Sequence, residues 1–423
     1  MINDIISKFL DDKNRIKIWP SKKEMKSEIL NYLATKFEYG QFYKEQEVNT
    51  IIENWHTFDD CFLLRRGLVD YWFLSRTKNG ARYWREEQSS LSQIKQVIFR
   101  NYDFDKIIGM SQMSNGIGSN SFYILCDKGE FIFKDIEHNH MNYPENEDII
   151  LSTLKNDGIP VPQIYKTVNG HSVICEGEKK YHMQTFVEGK IYKHGTAPDW
   201  LLFQSAEMLG KIQHSLSKLH PLPLGLSQGF LNYFTPEVAI ANHTNTLRLA
   251  QDKGDTEVVE VLKDKIELIQ KYKDLKFDFS KMTCRNTHGD YSVNQIICGN
   301  GRINGVIDFT SACVHPVCWE VIRSYSLADK KCINGEFDVE NFKRYIEHFL
   351  KYGNLSEYDI EIMPRFYLYQ SLVCDYFYQY YHSKYKNKGI LYENAMFIYK
   401  QCKALSYSMD KGIGLQHPAP SLV

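Results

Sequence analysis

The strongest constraint on the fold is a polar loop joined to a short hairpin, within residues 287–309. The loop carries Asp290 directly after a His-Gly pair, and an apolar run follows at 296–297. A Gly-Asn-Gly turn at 299–301 separates this run from a second apolar segment that ends at Asp308. Gly and Asn between two apolar runs are typical of a β-hairpin. The pattern therefore predicts two strands, with one aspartate before the first and another after the second.

Carboxylates and an amide at the ends of such a hairpin suit phosphoryl transfer from ATP. That reaction needs one carboxylate beside the attacking hydroxyl, and a second carboxylate with an amide oxygen to hold the Mg²⁺ that neutralises the phosphates. We predict that Asp290 acts as the base or orients the hydroxyl, and that Asp308 bridges Mg²⁺ to the β- and γ-phosphates. An amide of the loop, Asn294 or Gln295, is the further metal ligand.

The order of strand and helix patterns predicts a small β-rich part followed by a larger helical part. Short β-rich runs at 121–126 and 130–136 are joined by Asp-Lys-Gly, which is a hairpin signal. Beyond Gly189, three segments have helical spacing, at 206–219, 256–272 and 366–381. This order indicates an α+β, two-lobed fold like that of protein kinases.

With these motifs, the chain from about residue 101 to 381 resembles the aminoglycoside phosphotransferase and choline kinase superfamily. The family's loop has His-Gly-Asp, four further residues and then Asn, whereas here the fifth residue after Asp290 is Gln295. The resemblance favours Gln295 as the metal ligand, because Gln offers the same carbonyl oxygen on a longer stem, with Asn294 as the alternative. After the second aspartate the family often has Gly-Asp-Pro and another Asp, whereas this chain has His-Pro and then Glu320.

The resemblance also implies a nucleotide site in the β-rich part. A glycine-rich segment at 114–120 precedes the first strand of the hairpin, and its backbone N–H groups and polar side chains are expected at the phosphates. Lys134 on the next strand contacts the α- and β-phosphates, and Glu147 orients that lysine, with Glu145 as the competing choice. Backbone groups before Gly189 hold adenine. The predicted nucleotide contacts are Gly116, Gly118, Ser119, Asn120, Lys134, Glu147, Gln184, Thr185 and Phe186.

A separate small domain is predicted at the start of the chain, ahead of a polar stretch at 86–90. Helical patterns through 29–33 and 45–55 are followed by a third helix and by a hairpin with an Asn-Gly turn at 79–80. Helices followed by a hairpin indicate a winged-helix-like unit. We therefore predict three parts: an N-terminal domain at 1–88, a nucleotide-binding lobe at 89–188, and a helical lobe with the catalytic loop and acceptor site at 189–423.

The N-terminal segment resembles a bacterial domain of unknown function that occurs in or beside transcription-regulator-like proteins, through its motifs at 64–70 and 80–84. Residues 1–87 contain 15 Lys plus Arg and 14 Asp plus Glu, which is not the basic surface of a DNA reader. Arg65 and Arg66 leave a contact with nucleic acid open for this domain.

The composition argues against several other classes of protein. With 51 Lys plus Arg and 52 Asp plus Glu, no global charge attracts nucleic acid or an anionic membrane. The 10 cysteines form no C-x-x-C pair, which favours a reduced setting. No apolar run approaches the ~18 residues of a membrane span, and the chain does not begin like a signal peptide. We expect a cytoplasmic protein without a membrane anchor.

The leading hypothesis is an ATP- and Mg²⁺-dependent O-phosphotransferase for a small molecule, either an aminoglycoside-like antibiotic or a hydroxylated metabolite. The aromatic-rich segment 366–381 could give its acceptor pocket aromatic walls or the carboxylate of Asp375. The alternative is a nucleotide-binding regulatory pseudokinase whose N-terminal domain contacts DNA or a protein. Gln295 favours the pseudokinase, whereas Lys134, Asp290 and Asp308 together favour the enzyme.

Overall fold

The computed structural model describes residues 4–38, 41–77, 80–85, 90–113, 121–136, 146–224, 235–382 and 388–411. The helices are α1 (Asp4–Ser7), α2 (Lys23–Ala34), α3 (Glu45–Asn54), α4 (Cys61–Asp70), α5 (Ser90–Asn101), α6 (Asn146–Asn156), α7 (Asp199–Leu216), α8 (Pro236–Asp252), α9 (Thr256–Tyr272), α10 (Val317–Ala328), α11 (Val339–Leu350), α12 (Glu357–Val373), α13 (Tyr376–His382) and α14 (Lys388–Asp410). The strands are β1 (Phe42–Tyr43), β2 (Leu74–Arg76), β3 (Tyr83–Arg85), β4 (Ile107–Gln112), β5 (Ser121–Cys126), β6 (Gly129–Asp135), β7 (Ile174–Glu176), β8 (Lys179–Thr185), β9 (Lys190–Ile191), β10 (Cys284–Thr287), β11 (Ile296–Gly299), β12 (Arg302–Val306) and β13 (Cys313–Pro316).

The chain divides into two compact units. The first comprises Met1–Ser114, Ser121–Lys134 and Tyr165–Met183, and the second comprises Asn115–Asn120, Asp135–Ile164 and Gln184–Val423. No helix among the described residues combines the length and the apolarity needed to cross a membrane.

The N-terminal part of the first unit is a helical domain with a small antiparallel sheet. Strand β3 lies between β1 and β2, and Gly80, in the β2–β3 connection, has a φ of +69°, a conformation that glycine adopts without steric cost. Helix α4 begins after Asp60, whose side chain accepts a hydrogen bond from the Leu63 N–H at 2.9 Å. Leu33, Val48 and other apolar residues of α2, α3 and α4 form one core with the sheet. The winged-helix-like prediction is confirmed.

Helix α5 joins this domain to the larger sheet of the same unit. The Lys23 ammonium donates to the carbonyl oxygens of Tyr102 and Phe104, at 3.1 and 2.7 Å. The Phe99 ring of α5 lies with its centroid 4.8 Å from that of Tyr71 and 5.2 Å from that of Trp72. A half-buried lysine that satisfies two carbonyl groups, together with an aromatic cluster, makes this a packed interface and not an open linker.

The larger sheet has five strands in the order β4-β5-β6-β8-β7. Strands β5 and β6 form the predicted hairpin, with Ser121 opposite Lys134 and with Gly129 at a φ of +123° in the turn. Alternate residues of β5 are buried, as expected for a strand with one face on the core. The sequence placed both strands to within one residue, because alternation and turn composition are local signals.

The second unit is mainly helical and is built on one large apolar core. Helices α7, α10 and α11 contribute Leu209, Ile212, Ile322, Tyr345 and Phe349 to it. The predicted helix at 256–272 is α9, and α7 contains most of the predicted segment at 206–219. With the β-rich sheet, this confirms the kinase-like α+β fold class.

The prediction of one helix through 366–381 is wrong. Helix α12 ends at Val373 and α13 begins at Tyr376, so the helical segment is interrupted between them. Two buried side chains donate hydrogen bonds to carbonyl groups at the end of α12. The Lys265 ammonium donates to Cys374 O at 2.9 Å, and His243 Nε2 donates to Leu372 O at 3.1 Å. Because these carbonyl groups have side-chain partners, the helix can end inside the core.

Candidate active site

Two short sheets position the predicted catalytic loop. Strand β10 pairs with β13 and ends directly before His288, while β11 pairs with β12 and β9 on the far side of the loop. Gly289 has a φ of +82°, and a Cβ built on it would lie 1.9 Å from Ser311 O. Only glycine fits there, so the backbone of the loop packs against the turn that follows Asp308.

His288 ties the two aspartate-bearing segments together. Its ring is buried, and Nε2 donates to the carbonyl oxygen of Ile307 at 3.0 Å. The Asp290 N–H donates to Nδ1 at 3.3 Å, which fixes the neutral tautomer that carries its proton on Nε2. One imidazole therefore holds the backbone of Asp290 and the residue that precedes Asp308.

Glu320 of α10 holds the same loop from the other side. Its carboxylate is 2% exposed and accepts hydrogen bonds from the N–H groups of His288 at 3.2 Å and Tyr291 at 3.4 Å. Burial raises the pKa of this carboxyl group. Glu320 therefore fixes the backbone of the catalytic loop.

Replacing Glu320 by Ala is expected to destabilise the protein by about 1–3 kcal/mol for each N–H group left buried without a partner. Glu320→Gln is expected to cost less, because the amide keeps one accepting oxygen. Denaturant unfolding at neutral pH measures both, with Glu347→Ala, an exposed helical glutamate, as the control. A Glu320→Ala variant as stable as the control would contradict this role.

The carboxylate of Asp290 has two side-chain partners. Arg323 Nη2 lies 2.5 Å from Oδ1, and Gln295 Nε2 donates to Oδ2 at 3.1 Å. Arg323 also donates through Nη1 to the Tyr291 carbonyl oxygen at 3.2 Å. The Asp290 side chain is 40% exposed and that of Arg323 is 20% exposed, so the carboxylate remains open to a small molecule.

Sequence reasoning missed Arg323 and the role of Glu320. A signal for both was present, because they stand three residues apart on helix α10, which carries no other charged residue, and therefore share one face. Two charges in such a helix need partners inside the fold.

The two candidate metal-binding amides lie in different places. Gln295 is at the Asp290 carboxylate, whereas Asn294 Nδ2 is 2.7 Å from Nε2 of His194, in the segment between β9 and α7. Burial lowers the pKa of His194 to about 4, and the nearby charge of Arg323 acts in the same direction. His194 is therefore neutral at pH 7. This geometry favours Gln295 over Asn294 as the amide nearest the predicted chemistry.

Asp308 adopts the left-handed conformation, with a φ of 67° and a ψ of 60°. Its Oδ1 accepts a hydrogen bond from Thr310 Oγ1 at 2.8 Å. Aspartate tolerates this region better than most residues, and a non-glycine residue held there is often part of a functional site. A carboxylate and an amide are the oxygen ligands that suit Mg²⁺. In the described part of the chain, no cluster of three or more His, Cys, Asp or Glu side chains could hold a metal.

The predicted nucleotide residues are only partly within the described chain. Gly116, Gly118, Ser119 and Asn120 lie outside it, as does the alternative Glu145. Lys134 is the residue before the end of β6, in the first unit, while Glu147 belongs to the second. Their pairing stays a prediction.

Glu147 and the predicted adenine contacts meet within the second unit. Glu147 is buried on α6, and its Oε1 accepts a hydrogen bond from Gln184 Nε2 at 3.0 Å. The Thr185 N–H donates to Gln163 O at 2.9 Å, and Thr185 Oγ1 accepts from the Gln163 N–H at 3.0 Å. Phe186 directly follows β8. Since its N–H is occupied, Thr185 could meet adenine through its carbonyl group but not through this donor.

Comparison with protein families decides the class of protein. Residues 110–352, more than half of the chain, match a family described as the phosphotransferase enzyme family. The chain belongs to this family. It is therefore a phosphotransferase, as the resemblance implied. Residues 15–85 match a family described as an uncharacterized protein conserved in bacteria, which agrees with the N-terminal domain of unknown function. No curated protein matches the chain.

Solved structures with the same fold include several small-molecule kinases. A spectinomycin phosphotransferase in complex with ADP and spectinomycin is 12% identical, with a TM-score of 0.51, and the match covers 75% of this chain and 98% of that one. An aminoglycoside phosphotransferase from Alicyclobacillus acidocaldarius is 13% identical, with a TM-score of 0.51 and coverage of 73% and 93%. A microcompartment-associated aminopropanol kinase is 13% identical, with a TM-score of 0.50 and coverage of 75% and 98%. At these identities the likeness establishes the fold.

Proposed function

We propose that this phosphotransferase moves the γ-phosphate of ATP to a hydroxyl group of a small molecule and depends on Mg²⁺. The observation that carries the proposal is the buried His288 ring, which binds both the Asp290 backbone and the carbonyl group of Ile307, next to Asp308. One carboxylate at the acceptor and one at the metal, on two segments tied together, is the arrangement that phosphoryl transfer requires.

Asp290 is the group that orients the acceptor hydroxyl and receives its proton. Each carboxylate oxygen has two lone pairs, so the hydrogen bonds from Arg323 and Gln295 leave room for a hydroxyl. Glu320 and His288 fix the loop and thereby hold the Asp290 carboxylate in place. No entropy then has to be lost to position this group during the reaction.

Asp308 and Gln295 are the proposed ligands of the metal ion. Mg²⁺ is commonly held by one or two protein carboxylates together with the phosphates of a nucleotide, which fits the small number of acidic groups at this site. When bound, the ion would neutralise charge on the transferring phosphoryl group. Thr310 orients the Asp308 carboxylate for this role.

ATP is the proposed phosphate donor, and the spectinomycin phosphotransferase of the same fold was solved with ADP. The proposed contacts are Gly116, Gly118, Ser119, Asn120, Lys134, Glu147, Gln184, Thr185 and Phe186. The hydrogen bond between Glu147 and Gln184 supports a fixed connection between α6 and the end of β8. The proposed organisation of the chain has three parts, with boundaries at 88 and 188.

Two arginines of the N-terminal domain have acidic partners within it. Arg65, considered above for nucleic acid, lies 2.9 Å from the Glu45 carboxylate, and Arg66 lies 3.2 Å from that of Asp70. The Arg66 side chain is 83% exposed and its surface ion pair is weak, so a contact of this domain with nucleic acid stays open.

A broad acceptor panel tests the proposed function. We expect the full-length protein with ATP and Mg²⁺ to release ADP only when a hydroxylated compound is added, and EDTA in excess to abolish this. The panel should contain sugars, amino alcohols, hydroxy acids and aminoglycosides, with coupled ADP detection and mass spectrometry of the product. Nucleotide binding without transfer to any member would favour the pseudokinase.

A further inference from the structure

Arg323 makes more contacts than its ion pair with the catalytic aspartate. It stands on the buried helix α10, with its guanidinium carbon 5.3 Å from the centroid of the Trp319 ring. In the described chain it makes two hydrogen bonds, to Asp290 and to the Tyr291 carbonyl group. A guanidinium has five N–H groups, so three have no hydrogen-bond acceptor among the described residues, and the side chain is 20% exposed.

A second polar side chain is held on the same loop. Asn294 Nδ2 donates to Nε2 of His194, so Nδ1 of this imidazole carries the ring proton. His194 is thereby attached to the residue next to Gln295, whose side chain donates to the Asp290 carboxylate. The surroundings of the catalytic carboxylate therefore include a fixed cation and an amide, with an imidazole on the adjoining residue.

Among the described residues, two acidic groups that contact the catalytic loop are already engaged. Arg323 compensates the charge of Asp290, and Glu320 accepts from two backbone N–H groups beneath the loop. A polyamine would bring further positive charge next to a fixed guanidinium, which is unfavourable at short range. A carboxylate on the acceptor would instead meet the unused N–H groups of Arg323, whose planar fork matches carboxylate geometry.

We propose that Arg323 binds a carboxylate of the acceptor and that the substrates are hydroxy acids. This inference rests on the proposed function. Because Nη2 of Arg323 is 2.5 Å from Oδ1 of Asp290, one compact molecule can contact both side chains. Its carboxylate would lie on Arg323 and its hydroxyl on Asp290, within a few bonds of each other. Arg323 is then both the positioning residue of Asp290 and the specificity determinant of the site.

Acceptors that share a hydroxyl and differ in charge test this in the wild-type full-length enzyme. Two series are glycerate, glyceramide and 3-amino-1,2-propanediol, and gluconate, glucose and glucosamine. We expect the carboxylate member of at least one series to have a kcat/KM at least tenfold above its uncharged and cationic partners. Equal or better rates with the uncharged or cationic members, or no transfer to either acid, would overturn the proposal.

Variants of Arg323 separate acceptor binding from support of the loop. Arg323→Gln is expected to raise KM for the favoured acid at least tenfold, with a much smaller change for its uncharged partner, and Arg323→Lys to recover part of the loss. Arg344→Gln, which removes an exposed arginine, is the control. The ADP affinity of both glutamine variants, measured by calorimetry, should equal that of the wild type. If Arg323→Gln lowers kcat equally for every acceptor and leaves the KM values alone, the residue only supports the loop.

The outcomes distinguish this proposal from the proposed function. Suppose that only uncharged or cationic compounds are phosphorylated and that Arg323→Gln leaves their KM values unchanged. This result would reject hydroxy acids as the substrates but would still support the kinase reaction. Absence of transfer to every compound of the broad panel counts against the kinase reaction itself.

Discussion

Replacing Asp290 by Asn lowers kcat by about 10²–10⁴-fold, the usual contribution of a positioned acid–base group. The amide keeps the size of the side chain, and its oxygen can still accept a hydrogen bond from Arg323, but it cannot take the proton of the hydroxyl. Asn is a sharper test than Ala, because Ala would also leave the guanidinium of Arg323 without a hydrogen-bond acceptor at this position. Steady-state ADP release with the best acceptor of the panel measures the effect.

A matched control separates loss of chemistry from loss of structure. Asp199→Asn makes the same change at a side chain that is 91% exposed on α7 and should retain full activity. Nucleotide affinity of Asp290→Asn, measured by calorimetry, should equal that of the wild type. An Asp290→Asn enzyme that keeps the wild-type kcat would remove the basis of the proposed mechanism.

Replacing Asp308 by Asn is expected to lower kcat/KM by about 10²–10³-fold, which is the effect of removing one group that stabilises transferred charge. Asn is the appropriate change because it tolerates the left-handed φ of 67°, whereas Ala would strain the backbone there. The amide can still accept from Thr310, so the local structure is retained. The expected loss is therefore that of a charged metal ligand.

The dependence on Mg²⁺ identifies the cause of that loss. The Asp308→Asn enzyme should need a higher Mg²⁺ concentration for half-maximal rate, while Asp290→Asn should show the wild-type requirement at its reduced kcat. Titrations of Mg²⁺ at saturating ATP, with Asp199→Asn as the common control, measure both. An unchanged Mg²⁺ requirement in Asp308→Asn would show that this carboxylate does not hold the metal.

The candidate site was predictable where its signals are local. The His-Gly-Asp loop, the hairpin of β11 and β12, and Asp308 at its end follow from turn composition and apolar runs within 287–309. Gln295 lies at the Asp290 carboxylate, and its role as a metal ligand stays a proposal. The hydrogen bond of the Gln184 side chain to Glu147 could not be predicted, because the two residues are 37 positions apart.

The sequence by itself determined the fold class, the N-terminal winged-helix-like unit and the aspartate-bearing hairpin, since each depends on periodicity or turns over a few residues. Only the tertiary structure decided the end of α12, where Lys265 and His243 reach carbonyl groups more than one hundred residues away. It alone also decided the pairing of Arg323 with Asp290, 33 positions apart. Such contacts depend on how helices pack around the core, and no local pattern encodes which distant partner a buried charge will meet.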